Sequence, residues 1–373
     1  MAEHVLITGG AGFVGTNLAH RLLDAGRSVL VFDNLSRPGV ETNLRRLRDT
    51  YGARDLRVAV ADVRDAAALR QAVRGASAVF HFAAQVAVTT SLADPAHDFE
   101  VNARGTLNLL EALRALAAPP PLVFTSTNKV YGGLEDVPLR ENGDRYEPAE
   151  DAVRERGISE ARPLDFHSPY GCSKGAADQY VCDYARTFGI PAVVFRMSCI
   201  YGPHQCGNED QGWVAHFLLR ALQNQPITLY GDGRQVRDIL FVDDLLDAFL
   251  LAEKHIGRLS GQAFNIGGGP GSTTSLRELI DRIGALRGGA GARPEVRFDR
   301  WRPGDQRYYV SDTRKFEEAT GWRRRVDVAE GIARLHRWLA DHGAVASDSP
   351  ALPGAARTAA GGRRPVATAE AAP

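Results

Sequence analysis

Short, nearly continuous runs of apolar residues recur along the first two hundred positions, at 4–8, 29–33, 56–60, 79–82, 122–126 and 192–196. Each is too short for a helix. Between them apolar residues return every three or four positions, as Leu18, Leu22 and Leu23 do after the first run. Runs without alternation are what strands need when both faces of their sheet are covered, and the intervening spacing is that of amphipathic helices. Strands and helices taking turns in this way predict a doubly wound α/β fold with a parallel sheet, a Rossmann architecture.

From about Tyr201 the runs give way to loops and amphipathic helices, which predicts a smaller second lobe. Within it Ser275 and Glu278 form a capping box ahead of Leu276, Leu279, Ile280 and Ile283. The expected division is a first domain over 1–200, to which the chain returns at 234–268, and a second lobe over 201–344. Residues 345–373 are rich in Ala, Pro, Gly and Arg. So few large apolar side chains cannot offset the entropy of ordering, and a disordered tail is expected there.

Forty-five basic and forty-five acidic residues leave no net charge. No global field favours nucleic acid or an anionic membrane, and any anionic ligand must be met locally. The four cysteines show no CxxC spacing and no disulfide-rich density, so no zinc or other metal is expected. No apolar stretch approaches the roughly twenty residues of a membrane span. The strand pattern begins at the N-terminus and leaves no room for a signal peptide, so a cytoplasmic protein is expected.

Gly9, Gly12 and Gly15, with Phe13 and Val14 among them, lie between the first predicted strand and helix, and Asp33 closes the second strand eighteen residues after Gly15. In that context the glycines let backbone approach a pyrophosphate, whose charge the helix N-terminus balances. Asp33, followed by Asn34, would accept the adenosine ribose hydroxyls and repel a 2′-phosphate, which favours NAD. Arg37, in the same loop, is the residue that could hold that phosphate instead. Asp62 and Val63 follow the third strand; Asp62 either reaches the adenine edge or caps the next turn.

Tyr170 and Lys174 are four residues apart at the start of a helical pattern and share one helix face. An ammonium beside a phenol stabilises the phenolate, so Tyr170 is the candidate base and Lys174 its partner. Thr127 ends the fifth predicted strand, on the edge where such sheets place ligands, and would hydrogen-bond the reacting oxygen.

With these residues the chain resembles the extended short-chain dehydrogenase/reductase family of NAD-dependent epimerases and dehydratases over about residues 1–340. The likeness rests on Gly9-x-x-Gly12-x-x-Gly15, His81-Phe82-Ala83-Ala84-Gln85, Val101-Asn102-x-x-Gly105-Thr106, Tyr170-x-x-x-Lys174 and Gly231-Asp232-Gly233-x-x-x-Arg237-Asp238. It implies that Ala83, Ala84, Gln85 and Asn102 join Tyr170 and Lys174 around the cofactor. Dehydratases of the family carry an Asp-Glu pair directly after the catalytic Thr. Here those positions are Asn128 and Lys129.

The segments 126–132, 164–180 and 210–214 resemble the branch that epimerises CDP-linked hexoses at carbon 2. That likeness implies an NAD-dependent epimerase acting by transient oxidation and re-reduction of a nucleotide sugar, with Gln85, Asn128, Lys129, His167, Gln205, Arg237 and Arg307 toward the substrate. Lys129 either steadies developing negative charge or is a structural lysine, and His167 either orients substrate or packs on its neighbours. Arg237 and Arg307 suit a diphosphate unless Asp238 or Asp305 pairs with them. A UDP-hexose 4-epimerase and a non-catalytic NAD-binding regulator are the alternatives. The family likeness also implies a homodimer or higher homo-oligomer.

Overall fold

A computed structural model describes residues 3–288, 293–302 and 304–342, and the tail expected at 345–373 lies outside them. Strands β1 (His4–Thr8), β2 (Val29–Asp33), β3 (Leu56–Val60), β4 (Ala76–His81), β5 (Leu122–Thr127), β6 (Ala192–Met197) and β7 (Ala263–Ile266) form one seven-stranded sheet. Their order is β7-β6-β5-β4-β1-β2-β3, and every neighbouring pair is parallel. The doubly wound α/β class expected from the apolar runs is the one found. The chain steps outward from β1 through β2 and β3, then crosses back to β4. This reversal leaves a crevice beyond the carboxyl ends of β1 and β4, where such sheets bind ligands.

β1 and β5 are buried along their whole length, as strands covered on both faces must be. One face packs on Leu18, Leu22, Leu245 and Phe249, the other on Leu109, Leu113 and Val181. Helix α1 (Phe13–Asp24) supplies the first leucines. Helix α2 (Ser168–Phe188) begins with Pro169 at its N-terminal turn and ends at Gly189 in the left-handed region, φ 68°. Proline lacks the N–H that a first turn leaves unbonded, and glycine takes the left-handed C-cap without strain. Tyr170, Ser173, Lys174, Ala177, Asp178 and Val181 form the buried face of α2.

A buried ion pair ties α2 to β6. Arg196 donates to both oxygens of Asp178, each at 2.9 Å, and to the Tyr131 hydroxyl at 3.1 Å.

The returning segment 234–268 divides between the lobes. Strand Val236–Phe241 is the middle of the second lobe's sheet, antiparallel to Thr273–Ser275 and parallel to Tyr308–Tyr309 and Cys199–Tyr201. Only the residues after Phe241 rejoin the first domain: helix Val242–Lys254 packs toward α1 and β5, and β7 adds the sheet's last strand. The capping box of Ser275 and Glu278 is formed. Between the lobes, Asn128 donates to the Gln306 side chain at 3.0 Å, and Gln306 donates to the Gly132 carbonyl at 2.7 Å. All four cysteines are free. Among the described residues no helix is long and apolar enough to cross a membrane, and no group of three or more metal-ligating side chains occurs.

Candidate active site

A cavity of about 820 Å³ opens over the crevice, walled by both lobes. The first domain contributes Gly9, Gly12, Phe13, Val14, Gly15, Asp33, Asn34, Arg37, Val63, Ala83, Ala84, Gln85, Thr127, Asn128, Lys129, Tyr170 and Lys174. The second contributes Gln205, Trp213, Arg237, Arg302 and Asp305.

The glycine turn has no room for side chains. A Cβ on Gly9, whose φ is +69°, would lie 2.7 Å from the Ala83 nitrogen, and one on Gly15 would lie 2.3 Å from the Gly9 carbonyl oxygen. Gly12 caps α1 without any side-chain bond, so the first N–H groups of that helix are left for an anion. Asp33 is held by the turn it serves, accepting from the Ala11 nitrogen at 3.0 Å and the Leu35 nitrogen at 2.9 Å. Burial pushes its carboxyl up and these backbone bonds oppose the shift. Each carboxylate oxygen keeps a lone pair for a further donor, so cradle and acceptor together fit a dinucleotide.

Thr127, Tyr170 and Lys174 meet deeper in the cavity. Lys174 donates to the Thr125 carbonyl at 2.6 Å and lies 4.3 Å from the centre of the Phe124 ring. Burial pulls its ammonium down to about 7, opposed by Asp178 and Asp98. Burial pushes the Tyr170 phenol up to about 12, and a hydrogen bond with Thr127 pulls the other way. A phenol out of water loses the hydration that a phenolate needs, and this outweighs its neighbours. Thr127 also caps the following turn, accepting from the Lys129 nitrogen at 3.2 Å.

Asn128 and Lys129 both reach the cavity with their polar groups engaged. The Asn128 amide is bonded to Gln306, while Lys129 donates to the Gly304 carbonyl at 3.0 Å and stands 4.0 Å from Asp305. Burial pulls Lys129 down to about 8 against the attraction of Asp305. Arg237 pairs with that same Asp305 at 2.7 Å rather than with Asp238. Gln205 donates to the Ile200 carbonyl at 3.1 Å.

Four expected contacts are placed elsewhere. Asn102 is buried away from the cavity and brackets Gln85, accepting from its nitrogen at 2.8 Å and donating to its oxygen at 3.0 Å. Asp62 accepts from Arg64 and from the Asn34 amide, and arginine contact holds it well below the usual carboxylate range. His167 is half exposed and pairs with Asp165 at 3.1 Å. Arg307 lies over the Tyr146 and Trp301 rings at 5.7 and 5.4 Å. A residue just ahead of a strand takes the side that the strand's pleat assigns it, which spacing in the sequence does not specify.

Sequence reasoning missed Arg302 and Ser126. Arg302 lines the cavity, stacks 3.7 Å from the centre of the Tyr230 ring and donates to the Glu209 carbonyl at 2.7 Å. It stands five residues ahead of Arg307 in the sequence. The Ser126 hydroxyl is buried on the cavity wall with no hydrogen-bond partner within the protein.

The comparisons agree with this architecture. Residues 5–267 match the model of the NAD dependent epimerase/dehydratase family. A CDP-paratose 2-epimerase of Salmonella typhi is 41% identical over 341 residues, covering 90% of this chain and 98% of that protein. The UDP-glucose 4-epimerase of Thermus thermophilus, solved in complex with NAD, superposes with a TM-score of 0.74 at 34% identity, over 91% of this chain and 99% of that one. DesIV of Streptomyces venezuelae, a dTDP-glucose 4,6-dehydratase solved with NAD bound, gives 0.77 at 30% identity, over 92% and 98% of the two chains. With a glycine cradle at the switch point of a parallel sheet and Thr127, Tyr170 and Lys174 in one cavity, the chain belongs to the NAD-dependent epimerase/dehydratase family.

Proposed function

We propose that the protein epimerises a CDP-linked hexose, CDP-paratose or CDP-glucose, at sugar carbon 2. The observation that carries this reading is the end-to-end likeness to a CDP-paratose 2-epimerase, combined with Asn128 and Lys129 after Thr127 where a dehydratase needs two carboxyl groups. The carboxylate nearest Lys129 is Asp305, and it is engaged by Arg237.

The glycine turn and Asp33 would hold NAD, which would supply the hydride acceptor and donor that oxidation and re-reduction of one sugar carbon require. Tyr170 takes the proton of the hydroxyl on the carbon being oxidised and gives it back once the keto sugar has presented its other face. Thr127 hydrogen-bonds the same oxygen, and the Lys174 ammonium favours the phenolate. Arg302 offers a planar fork to the diphosphate, whereas the Arg237 guanidinium is taken up by Asp305. Net redox change is zero, so NAD is expected to copurify with the protein. In Gly15→Val, whose side chain would overlap the Gly9 carbonyl, nucleotide released by heating and measured by chromatography should fall below a tenth of the wild-type amount.

The test of the reaction is proton NMR in deuterated water with CDP-paratose or CDP-glucose and no added NAD. Formation of the carbon-2 epimer without deuterium at that carbon supports direct hydride return. If both CDP-sugars persist while UDP-glucose becomes UDP-galactose, the 4-epimerase reading replaces this one.

A further inference from the structure

Asp98 is a carboxylate with no part in the chemistry just described, yet it is 0% exposed. It sits in the short helix Pro95–Phe99, which runs directly into a π-helical turn, Glu100–Arg104. Such wide turns are uncommon and often occur at functional positions. Three side chains donate to it and all are neutral: the Ser173 hydroxyl, the Gln85 amide at 2.9 Å and the Asn102 amide at 3.2 Å. Burying a carboxylate without a cation in direct contact is costly, and here hydrogen bonds from neutral donors are what offset it.

Those donors lead to the reacting groups. Ser173 lies between Tyr170 and Lys174 on α2, its hydroxyl oxygen 3.2 Å from the Tyr170 carbonyl. Gln85 lines the cavity, and its backbone is held by Asn102.

We propose that Asp98 is a positioning residue, whose buried negative charge anchors the Tyr170-to-Lys174 turn and sets the protonation balance of that pair. The inference rests on Tyr170 and Lys174 having the roles given above. The charges that face them can be named. Lys174 meets Asp98 and Asp178, the neutral His81 ring, the Phe124 face and the Thr125 carbonyl. Tyr170 meets Asp98 and the Thr127 hydroxyl. Around Asp98 itself are Lys174 and His97. A negative charge holds the protonated form of both phenol and ammonium, so removing it lowers both proton affinities. The lysine favours the phenolate while Asp98 keeps it from forming too early.

The test compares wild type and Asp98→Asn, each carrying its copurified NAD, by ultraviolet titration of the Tyr170 phenolate, with the corresponding Tyr170→Phe protein subtracted. The midpoint is expected to fall by about one pH unit in Asp98→Asn, and the optimum of turnover to move acid by a similar amount. Asp98→Ser, also uncharged and smaller, serves if the asparagine protein does not fold, with the same expected shift. Ser173→Ala removes a hydrogen bond but leaves the charge, so its midpoint should not fall. A midpoint unmoved in the uncharged variants, with turnover merely reduced, would overturn the proposal and leave Asp98 as a prop. The phenolate titration needs no substrate, so it stands even where no CDP-sugar is turned over.

Discussion

Tyr170→Phe should lower turnover between about 10² and 10⁴-fold while leaving the fold and bound NAD intact. The phenyl ring fits the buried slot that the phenol occupies, so the expected structural loss is confined to the hydrogen bond with Thr127. What disappears is the oxygen that carries the proton. Thr127, engaged in capping the next turn, is no base, and Lys174 points its amine at the Thr125 carbonyl. The measurement is single-turnover conversion of the nucleotide sugar, together with NAD content and melting temperature. Activity within a factor of ten of wild type, in a protein that retains NAD, would remove Tyr170 from the mechanism. Loss of NAD along with activity would instead make it a cofactor-binding residue.

The second large effect is on stability. Arg196→Met is expected to cost about 3–5 kcal/mol, because it leaves the Asp178 carboxylate, 0% exposed, without its partner. Pairing Arg196→Met with Asp178→Leu should recover much of that loss, since two apolar side chains of similar volume need no compensation. Urea unfolding of the three proteins at one NAD concentration reads this directly, bound cofactor being held constant. A single substitution costing under about 1 kcal/mol would mean that water or a neighbour takes the place of Arg196. Asp178 is one turn beyond Lys174 on α2 and helps retain its proton, so the same substitutions test whether this strap also tunes the site.

Local patterns were readable without coordinates where their physics is local. The glycine spacing, the capping box at Ser275 and the face shared by Tyr170 and Lys174 each depend on residues a few positions apart. The fold class was readable for a related reason, because strands buried on both faces must be apolar throughout. Asn102 shows where this stops. Its place in a motif marked it for the cofactor, but it serves the backbone of Gln85, a partner seventeen residues away. Arg307 was marked for the diphosphate and Arg302 was not; Arg302 faces the cavity, and Arg307 lies over Tyr146 and Trp301.

The sequence by itself therefore determined the order of strands and helices along the chain, the glycine turn and the candidate trio Thr127, Tyr170 and Lys174, since helix periodicity, turn chemistry and strand burial act over short stretches of chain. Only the tertiary structure decided which arginines line the cavity, that Asn128 and Lys129 are tied to residues 304–306, and that Asp98 lies buried against Ser173. Those contacts join residues 75 to 178 positions apart. They exist because the parallel sheet and its crossovers bring distant loops to one edge, a consequence of global packing that no window of the sequence contains.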